Sequence, residues 1–290
     1  MSVPIINQNA IVFLRRVVAF SLALTLIFTP IDFLITPSAV NLDPFKCENT
    51  IQRLLFFCVI PENYLIFGKW IAVALCFFVF PGKFPFISNL ILFWISGTLF
   101  HMAPTSDGGE QIALCLSTML LTFSVGGLMT SIPCKLVNIE KYAASWFFVW
   151  HMMIKIQMFV VYFQAGVSKL AVESWTDGSE IYYDMINPMF GASGWRLEFS
   201  LFFVSNSFLL LVLTWGAIFC EIFISFAIFG SDNVKIIAII FAIILHTSIA
   251  FFLGITSFSI IMIGGAIYSL LPDRFAYERG VFSDDEKLDS

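Results

Sequence analysis

A stripe of ionisable side chains runs along an otherwise apolar segment, residues 151–178 (HMMIKIQMFVVYFQAGVSKLAVESWTDG). The stripe consists of His151, Lys155, Tyr162 and Lys169. On a helix that turns about 100° per residue, these positions lie within roughly 40° of one another and span about 27 Å. A cation inside a membrane span is costly unless it faces the bundle interior or water, so the stripe predicts a functional site. The structural alternative is that Lys155 pairs with a carboxylate of another span and Lys169 snorkels from a helix end.

Two acidic residues, Asp107 and Glu110, flank a pair of glycines where a loop enters the next apolar segment. Glycines permit backbone conformations that are closed to other residues, so this loop is a second candidate for the site. The acids are equally typical of a helix N-terminus, where they interact favourably with the helix dipole. We expect Asp107 and Glu110 to face Lys169 across one cavity.

Two further ionisable residues, Glu221 and His246, lie within apolar runs (LTWGAIFCEIFISFAIF and FAIILHTSIAFF). Buried ionisable groups need partners, so we expect Glu221 to pair with Lys155. His246 either bonds to a backbone carbonyl or takes part in a site. The three histidines, at 101, 151 and 246, have no metal-ligand spacing, so the sequence predicts no metal site.

The composition is that of an integral membrane protein. Of 290 residues, 59% are hydrophobic and only 12% are charged, whereas soluble domains carry about 25% charged residues. The net charge of −5 argues against nucleic acid as a partner. P-loop, G-x-S-x-G and dinucleotide-binding motifs do not occur, so the motifs give no support to nucleotide-driven transport or serine hydrolysis.

The apolar runs predict an all-α, multi-pass transmembrane helical bundle at residues 1–271 and a polar cytoplasmic tail at 272–290. Arg15 and Arg16 before the first run predict a cytoplasmic N-terminus. The acidic, aromatic loop 167–198 then forms an interfacial structure on the outer face. We expect seven or eight spans, at about 17–35, 64–80, 86–102, 111–130, 144–166, 200–229 and within 235–271, which divides near Gly254.

Two cysteines, Cys47 and Cys58, lie in one predicted outer loop. On an oxidising face, two nearby cysteines are candidates for a disulfide. The alternative is two free thiols, with Cys58 buried in its apolar run.

The run from Tyr162 to Leu170 (Y-F-x-A-G-V-x-K-L), followed by W-x-x-G at 175–178, resembles the signature of the vitamin K-dependent γ-carboxylase. That enzyme belongs to a wider group, the horizontally transferred transmembrane (HTTM) family. The resemblance implies that Lys169 is a base that deprotonates a reduced quinone cofactor. A lysine in a dry pocket is able to act in this way. The sequence departs from the carboxylase at Ser168, where that family has a second lysine.

A second resemblance covers most of the chain. The P-E-N-Y motif at 61–64, the T-S-D-G-G-E-Q motif at 105–111 and the two-cysteine loop are similar to the sporulation-delaying protein B family. This bacterial family implies a role in making a secreted peptide toxin from a separately encoded precursor, together with a small partner protein.

These observations predict a protein of a bacterial cell membrane that matures an exported antimicrobial peptide at the outer face. The alternatives are a non-catalytic component that exports or binds the peptide, and a quinone- or lipid-dependent membrane enzyme. The predicted catalytic residues are Lys169, Asp107, Glu110, His151 and Lys155. Tyr162, Glu221 and His246 are predicted to bind a cofactor. The reaction itself is left open.

Overall fold

The computed structural model describes residues 7–35, 47, 52–102, 108–131, 139–187 and 191–272. Among these residues every regular element is a helix, and no strand is present. The twelve α-helices are α1 (Gln8–Phe28), α2 (Ile31–Ile35), α3 (Leu65–Phe78), α4 (Pro85–Met102), α5 (Gly109–Ser131), α6 (Ile139–Lys169), α7 (Glu173–Thr176), α8 (Glu180–Ile186), α9 (Trp195–Val204), α10 (Ser207–Ala227), α11 (Asp232–Leu253) and α12 (Thr256–Ser269). The predicted all-α, multi-pass bundle is therefore confirmed.

Six of the described helices are long and apolar enough to cross a membrane: α1, α4, α5, α6, α10 and α11. Helices α3 and α12 have 14 residues each, about 21 Å at 1.5 Å per residue. That is shorter than a hydrocarbon core of about 30 Å. The prediction of seven or eight spans therefore depends on these two helices.

Local chemistry sets the helix ends, and two predicted boundaries were wrong. The first span begins at Gln8 rather than near residue 17 and ends at Phe28, because Pro30 cannot donate a backbone hydrogen bond. The predicted span 200–229 is two helices, α9 and α10. The side chain of Asn206 accepts hydrogen bonds from the first turn of α10 and caps a new helix there. The predicted break near Gly254 is present, because Gly254 ends α11 with a φ of 76°.

Helix α1 is the centre of the bundle, since it packs against α3, α4, α5 and α12. Buried Arg15 of α1 donates from Nε to Asn89 Oδ1 at 2.8 Å, and Asn89 Nδ2 donates to the Leu120 carbonyl at 2.6 Å. This pair of bonds joins α1, α4 and α5. Helix α6 packs against α5, α10 and α12, which places the predicted stripe beside the core.

Several irregular segments collect at one end of the bundle, which we call the loop-rich end. This end consists of the C-termini of α1, α4 and α11, the N-terminus of α3, and helices α7–α9. Lys69 Nζ donates to the Thr29 carbonyl at 2.8 Å and so ties the end of α1 to the start of α3. Arg196 of α9 donates to the Phe251 carbonyl near the end of α11. The described residues of the segments predicted to share the outer face thus share one end, while the orientation of this end towards the outside stays a prediction.

Candidate functional site

Lys169, the last residue of α6, forms an ion pair with Glu221 of α10. Its Nζ lies 2.8 Å from Oε1 and 2.7 Å from Oε2 of Glu221, and it also donates to the Ala165 carbonyl at 3.1 Å. The two side chains are 19% and 8% exposed. Glu221 lies fourteen residues, or about 21 Å, from the first residue of α10. The pair is therefore well inside the length of that helix.

Gly166 explains how α6 and α10 come close enough for this contact. A Cβ atom at Gly166 would lie 2.8 Å from Ile222 Cγ1 and 3.3 Å from the Ile218 carbonyl oxygen. Real Cβ atoms essentially never approach other atoms to 2.8 Å. The glycine of the A-G-V-x-K motif is therefore required for packing, one turn before the lysine that the packing positions.

The chain beyond Lys169 folds back over the ion pair. The ring centre of Trp175 in α7 lies 5.0 Å from Lys169 Nζ, within the range of a cation–π interaction. Gly178 has a φ of 87° and packs against Leu211 of α10, and Thr214 Oγ1 donates to its carbonyl at 2.9 Å. The W-x-x-G motif thus anchors α7 on α10 and holds the indole over the ammonium group.

Acidic side chains of α8 lie close to this site. Burial, together with the nearby charge of Glu180, raises the pKa of Asp184 to about 6, while the charge of Lys169 acts in the opposite direction. Ser174 of α7 donates to the Glu180 carboxylate. The site therefore brings the cation of Lys169 next to carboxylates from α10 and α8.

The rest of the stripe faces the bundle interior. His151, Lys155 and Tyr162 are all buried. His151 Nδ1 lies 2.7 Å from the hydroxyl of Tyr268 in α12. The hydroxyl of Tyr162 lies 3.0 Å from His246 Nε2 and donates to the Met262 carbonyl at 3.1 Å. The residues grouped by helical spacing therefore lie on the surface of α6 that faces the bundle interior.

The predicted partners were partly wrong. Glu221 pairs with Lys169 rather than with Lys155, and Lys169 bonds inward instead of snorkelling to the surface. His246 bonds to a side chain, Tyr162, rather than to a carbonyl. Sequence reasoning did not single out Trp175 as a cover for the lysine or Tyr268 as the partner of His151. The W-x-x-G motif was the available signal for Trp175.

The glycine-rich loop approaches His246 through one aromatic ring. Gly108, with a φ of 85°, packs against Phe258, and the Phe258 ring lies 5.7 Å from the His246 ring between centroids. Glu110 is buried at the start of α5. Asp107 lies outside the described residues, so its predicted position opposite Lys169 stays a prediction, as does that of Glu110.

The cysteine loop is crosslinked in the structure. Cys47 and Cys58 form a disulfide with a Cα–Cα distance of 5.8 Å. Close to it, Trp94 Nε1 donates to the Leu54 carbonyl at 2.6 Å, and Thr98 Oγ1 accepts from the Phe56 backbone at 2.8 Å. The crosslinked segment is thereby held against α4.

The geometry of the ion pair limits its chemistry. A lysine ammonium has three N–H donors, and here they meet the two Glu221 oxygens and the Ala165 carbonyl, so this arrangement suits a fixed cation better than a free base. Within the described part of the chain, no group of three His, Cys, Asp or Glu side chains is placed to hold a metal ion.

Comparison with known proteins identifies the family. No family model and no solved structure match the chain. The chain is 30% identical over 269 residues to the sporulation-delaying protein SdpB of Bacillus subtilis (strain 168), covering 91% of this chain and 82% of that protein. It is 28% identical over 273 residues to the uncharacterized protein YitO of the same organism, covering 89% and 84%. At this identity over most of both chains, the protein belongs to the family of the sporulation-delaying protein SdpB.

Proposed function

We propose that this protein takes part in producing an exported antimicrobial peptide toxin and acts on the toxin precursor beneath the loop-rich end, on the outer face of the cell membrane. A small partner protein of the same system acts with it. The observation that carries the proposal is the match, over 91% of the chain, to a relative whose name describes it as sporulation-delaying. The buried Lys169–Glu221 pair is the chemical centre that we assign to this role.

The ion pair is a poor choice if stability alone is required. Removing two charges from water is costly, and well-packed apolar residues often give equal or greater stability than a buried ion pair. Lys169 and Glu221 lie in helices that are apolar enough to span a membrane. We therefore assign the pair a functional role rather than a purely stabilising one, and this assignment supports the proposal.

Within this role, Lys169 supplies the cation of the site and Glu221 holds its ammonium in place. An anionic group of the precursor binds by replacing one of the bonds that Glu221 and the Ala165 carbonyl make to that ammonium. Trp175, in the α7 part of the loop-rich end, covers the Lys169 ammonium. His151 and Lys155 continue the same face of α6 into the interior. Asp107, which precedes α5 in the sequence, and Glu110, in the first turn of α5, complete the proposed set.

The residues predicted to bind a reduced quinone do not fit that role as a set. Glu221 directs both carboxylate oxygens at Lys169, and the Tyr162 hydroxyl is engaged by His246 and Met262. A peptide path along the stripe is likewise less well supported, because His151, Lys155 and Tyr162 are buried among helices. We therefore derive no step through a quinone and favour action on the precursor over passive export.

The test is complementation of a deletion strain of the host that carries this gene. Mature toxin in the culture medium is measured by mass spectrometry, and the amount of the protein in the membrane by immunoblotting. We expect Lys169→Ala and Glu221→Gln to abolish the toxin, also when its amount is expressed relative to the amount of the variant in the membrane. Lys83→Ala, which changes an exposed lysine outside the site, is the matched control.

Lys169→Arg separates the two roles of the lysine. Arginine keeps the charge but remains protonated, so a cation role predicts partial activity and a base role predicts none. Normal toxin from Lys169→Ala would remove the residue from the site altogether.

The orientation has a test of its own. We expect Ser174→Cys on α7 and Thr105→Cys to react with a membrane-impermeant thiol reagent in intact cells, and Lys83→Cys not to react. Reaction of Lys83→Cys alone would place the loop-rich end in the cytoplasm.

A further inference from the structure

Two consecutive arginines lie within the apolar helix α1, and neither forms an ion pair with a carboxylate of the described residues. Arg15 is 3% exposed and donates from Nε to Asn89, while its buried Nη1 has no hydrogen-bond partner there. Arg16 is exposed and donates from Nε to the Phe80 carbonyl at 2.9 Å. Arginine stays protonated, and a charge within a membrane span is costly unless it is paired. The two guanidinium groups therefore favour an anion that the described residues do not supply.

The helices beside these arginines end at different depths. The bond from Asn89 Nδ2 to the Leu120 carbonyl places these two residues of α4 and α5 at one level. Beyond that level α4 continues for four residues to Pro85, about 6 Å, whereas α5 continues for eleven residues to Ser131, about 16 Å. The short α4 leaves a space beside α5, about 10 Å deep, at the end of the bundle opposite the loop-rich end. We call this space the recess.

The turn after α3 forms the floor of the recess, next to α1. Its Phe80 carbonyl accepts from Arg16, and a Cβ atom on its Gly82 would lie 3.4 Å from Val12 Cγ1. Helix α1 continues past this contact to Gln8. On this side of the bundle the apolar surface is that of the 14-residue α3, which is shorter than the hydrocarbon core. A bilayer adapts to a short span by thinning, which brings lipid headgroups towards Arg16.

The face of α1 that carries Arg16 is otherwise apolar and exposed. Phe13 and Phe20, three residues before and four after Arg16, lie on the same face of the helix and are 37% and 41% exposed. The Phe20 ring packs edge-on against the Phe80 ring, 6.5 Å between centroids. An exposed guanidinium between apolar side chains suits a ligand that combines an anion with hydrocarbon chains. A free inorganic anion would make no use of the phenylalanines.

We propose that Arg16 binds the phosphate of an anionic phospholipid whose headgroup lies in the recess. The bond from Nε to the Phe80 carbonyl fixes the guanidinium plane, and the N–H groups of its two Nη atoms donate to the phosphate oxygens. The acyl chains run from there along Phe20 towards the middle of the bilayer. Arg15 adds a second positive charge from inside the bundle. This site stands apart from Lys169 and from the proposed role in toxin production.

Lipid binding to the purified protein in a neutral detergent, measured by native mass spectrometry, tests the proposal. The two probes are phosphatidylglycerol and phosphatidylethanolamine with the same acyl chains, because the ammonium of the second neutralises its phosphate. We expect phosphatidylglycerol to bind about tenfold more tightly, and Arg16→Gln to remove this preference, as the loss of one charge-assisted hydrogen bond predicts. The matched control is Arg53→Gln at the loop-rich end, where Arg53 Nε also donates to a carbonyl, that of Cys47. It should leave both affinities unchanged.

Thermal unfolding in the same detergent separates lipid binding from a structural role of Arg16. A ligand that binds the folded state raises Tm, so phosphatidylglycerol should raise the Tm of wild type and hardly change that of Arg16→Gln. Arg16→Lys keeps the charge without the planar fork and should show an intermediate rise. It also keeps the proposal testable if Arg16→Gln folds poorly. An arginine that only holds the Phe80 carbonyl would lower Tm equally with and without lipid.

Three results would overturn the proposal. The first is equal binding of the two lipids to wild type. The second is an unchanged affinity for phosphatidylglycerol in Arg16→Gln and Arg16→Lys. The third is binding that arises only when Asp284→Asn, Asp285→Asn and Glu286→Gln are combined, which would identify the acidic end of this chain as the occupant of the recess.

Discussion

Replacing Glu221 with glutamine keeps the shape of the side chain and removes its charge from the contact with Lys169. Breaking a buried ion pair by removing one partner costs about 3–5 kcal/mol, because the other charge is left uncompensated. Lys169 remains 19% exposed and keeps its bond to the Ala165 carbonyl. We therefore expect a smaller loss, about 2–3 kcal/mol in the free energy of unfolding. For a chain of this size that lowers Tm by about 4–10 °C.

The measurement is thermal unfolding in detergent, followed by intrinsic fluorescence, of four proteins: wild type, Glu221→Gln, Lys169→Met and the double variant. Because both single changes break one interaction, the double variant should lose at least about 1.5 kcal/mol less than the sum of the two. Glu62→Gln, at an exposed position, should stay within about 0.5 kcal/mol of wild type. Additive losses from Lys169→Met and Glu221→Gln would refute the view that the two side chains form one energetic unit.

Three other changes test the surroundings of this pair. Gly166→Ala should destabilise the protein by about 1–3 kcal/mol through overpacking. The control Gly216→Ala, with nothing within 4 Å of the added Cβ, should have little effect. Equal Tm values for the two variants would count against a close approach of α6 to α10 at Gly166. Because its pKa is raised from 3.8 to about 6, Asp184 binds its proton more tightly in the folded state, so wild type should lose stability relative to Asp184→Asn as the pH rises from about 4 to about 6. A difference in Tm that does not change across that range would contradict this. Replacing Cys47 and Cys58 with serine should lower the free energy of unfolding by about 1–2 kcal/mol. This is less than the cost of losing a typical native disulfide, because the segment is also bonded to α4. Two free thiols in the wild-type protein, detected by non-reducing mass spectrometry, would show that the disulfide does not form.

The sequence predicts the positions of the long helices well, because an apolar run of about 20 residues is a strong signal. It misplaces boundaries where a single side chain decides. Asn206 lies within a run that reads as continuous, yet its side chain caps α10 and divides the run. Hydropathy does not detect such a cap, since the three polar residues at 205–207 change the average over a window of about 20 residues only a little.

The site is predictable in part for a similar reason. Helical periodicity shows which face of α6 is polar. That face is buried, as expected because a charged side chain exposed to lipid is costly. Helical periodicity does not show which residue of another helix lies at the same depth in the bundle. Lys155 and Lys169 were both possible partners for Glu221 on charge alone. The choice is made by the contact of Gly166 with Ile218 and Ile222, which no property of a single helix reveals.

The pairing of α6 with α10 has a consequence for the order of biosynthesis. Lys169 is made 52 residues before Glu221, so it is already present when α10 enters the membrane. A carboxylate within an apolar helix opposes insertion by about 2.5–3.5 kcal/mol at the helix centre, and Lys169 offers it a counter-charge on arrival. Insertion of α10 should therefore depend on α6. We expect a fragment that starts after Lys169 to leave α10 outside the bilayer more often than the full chain does.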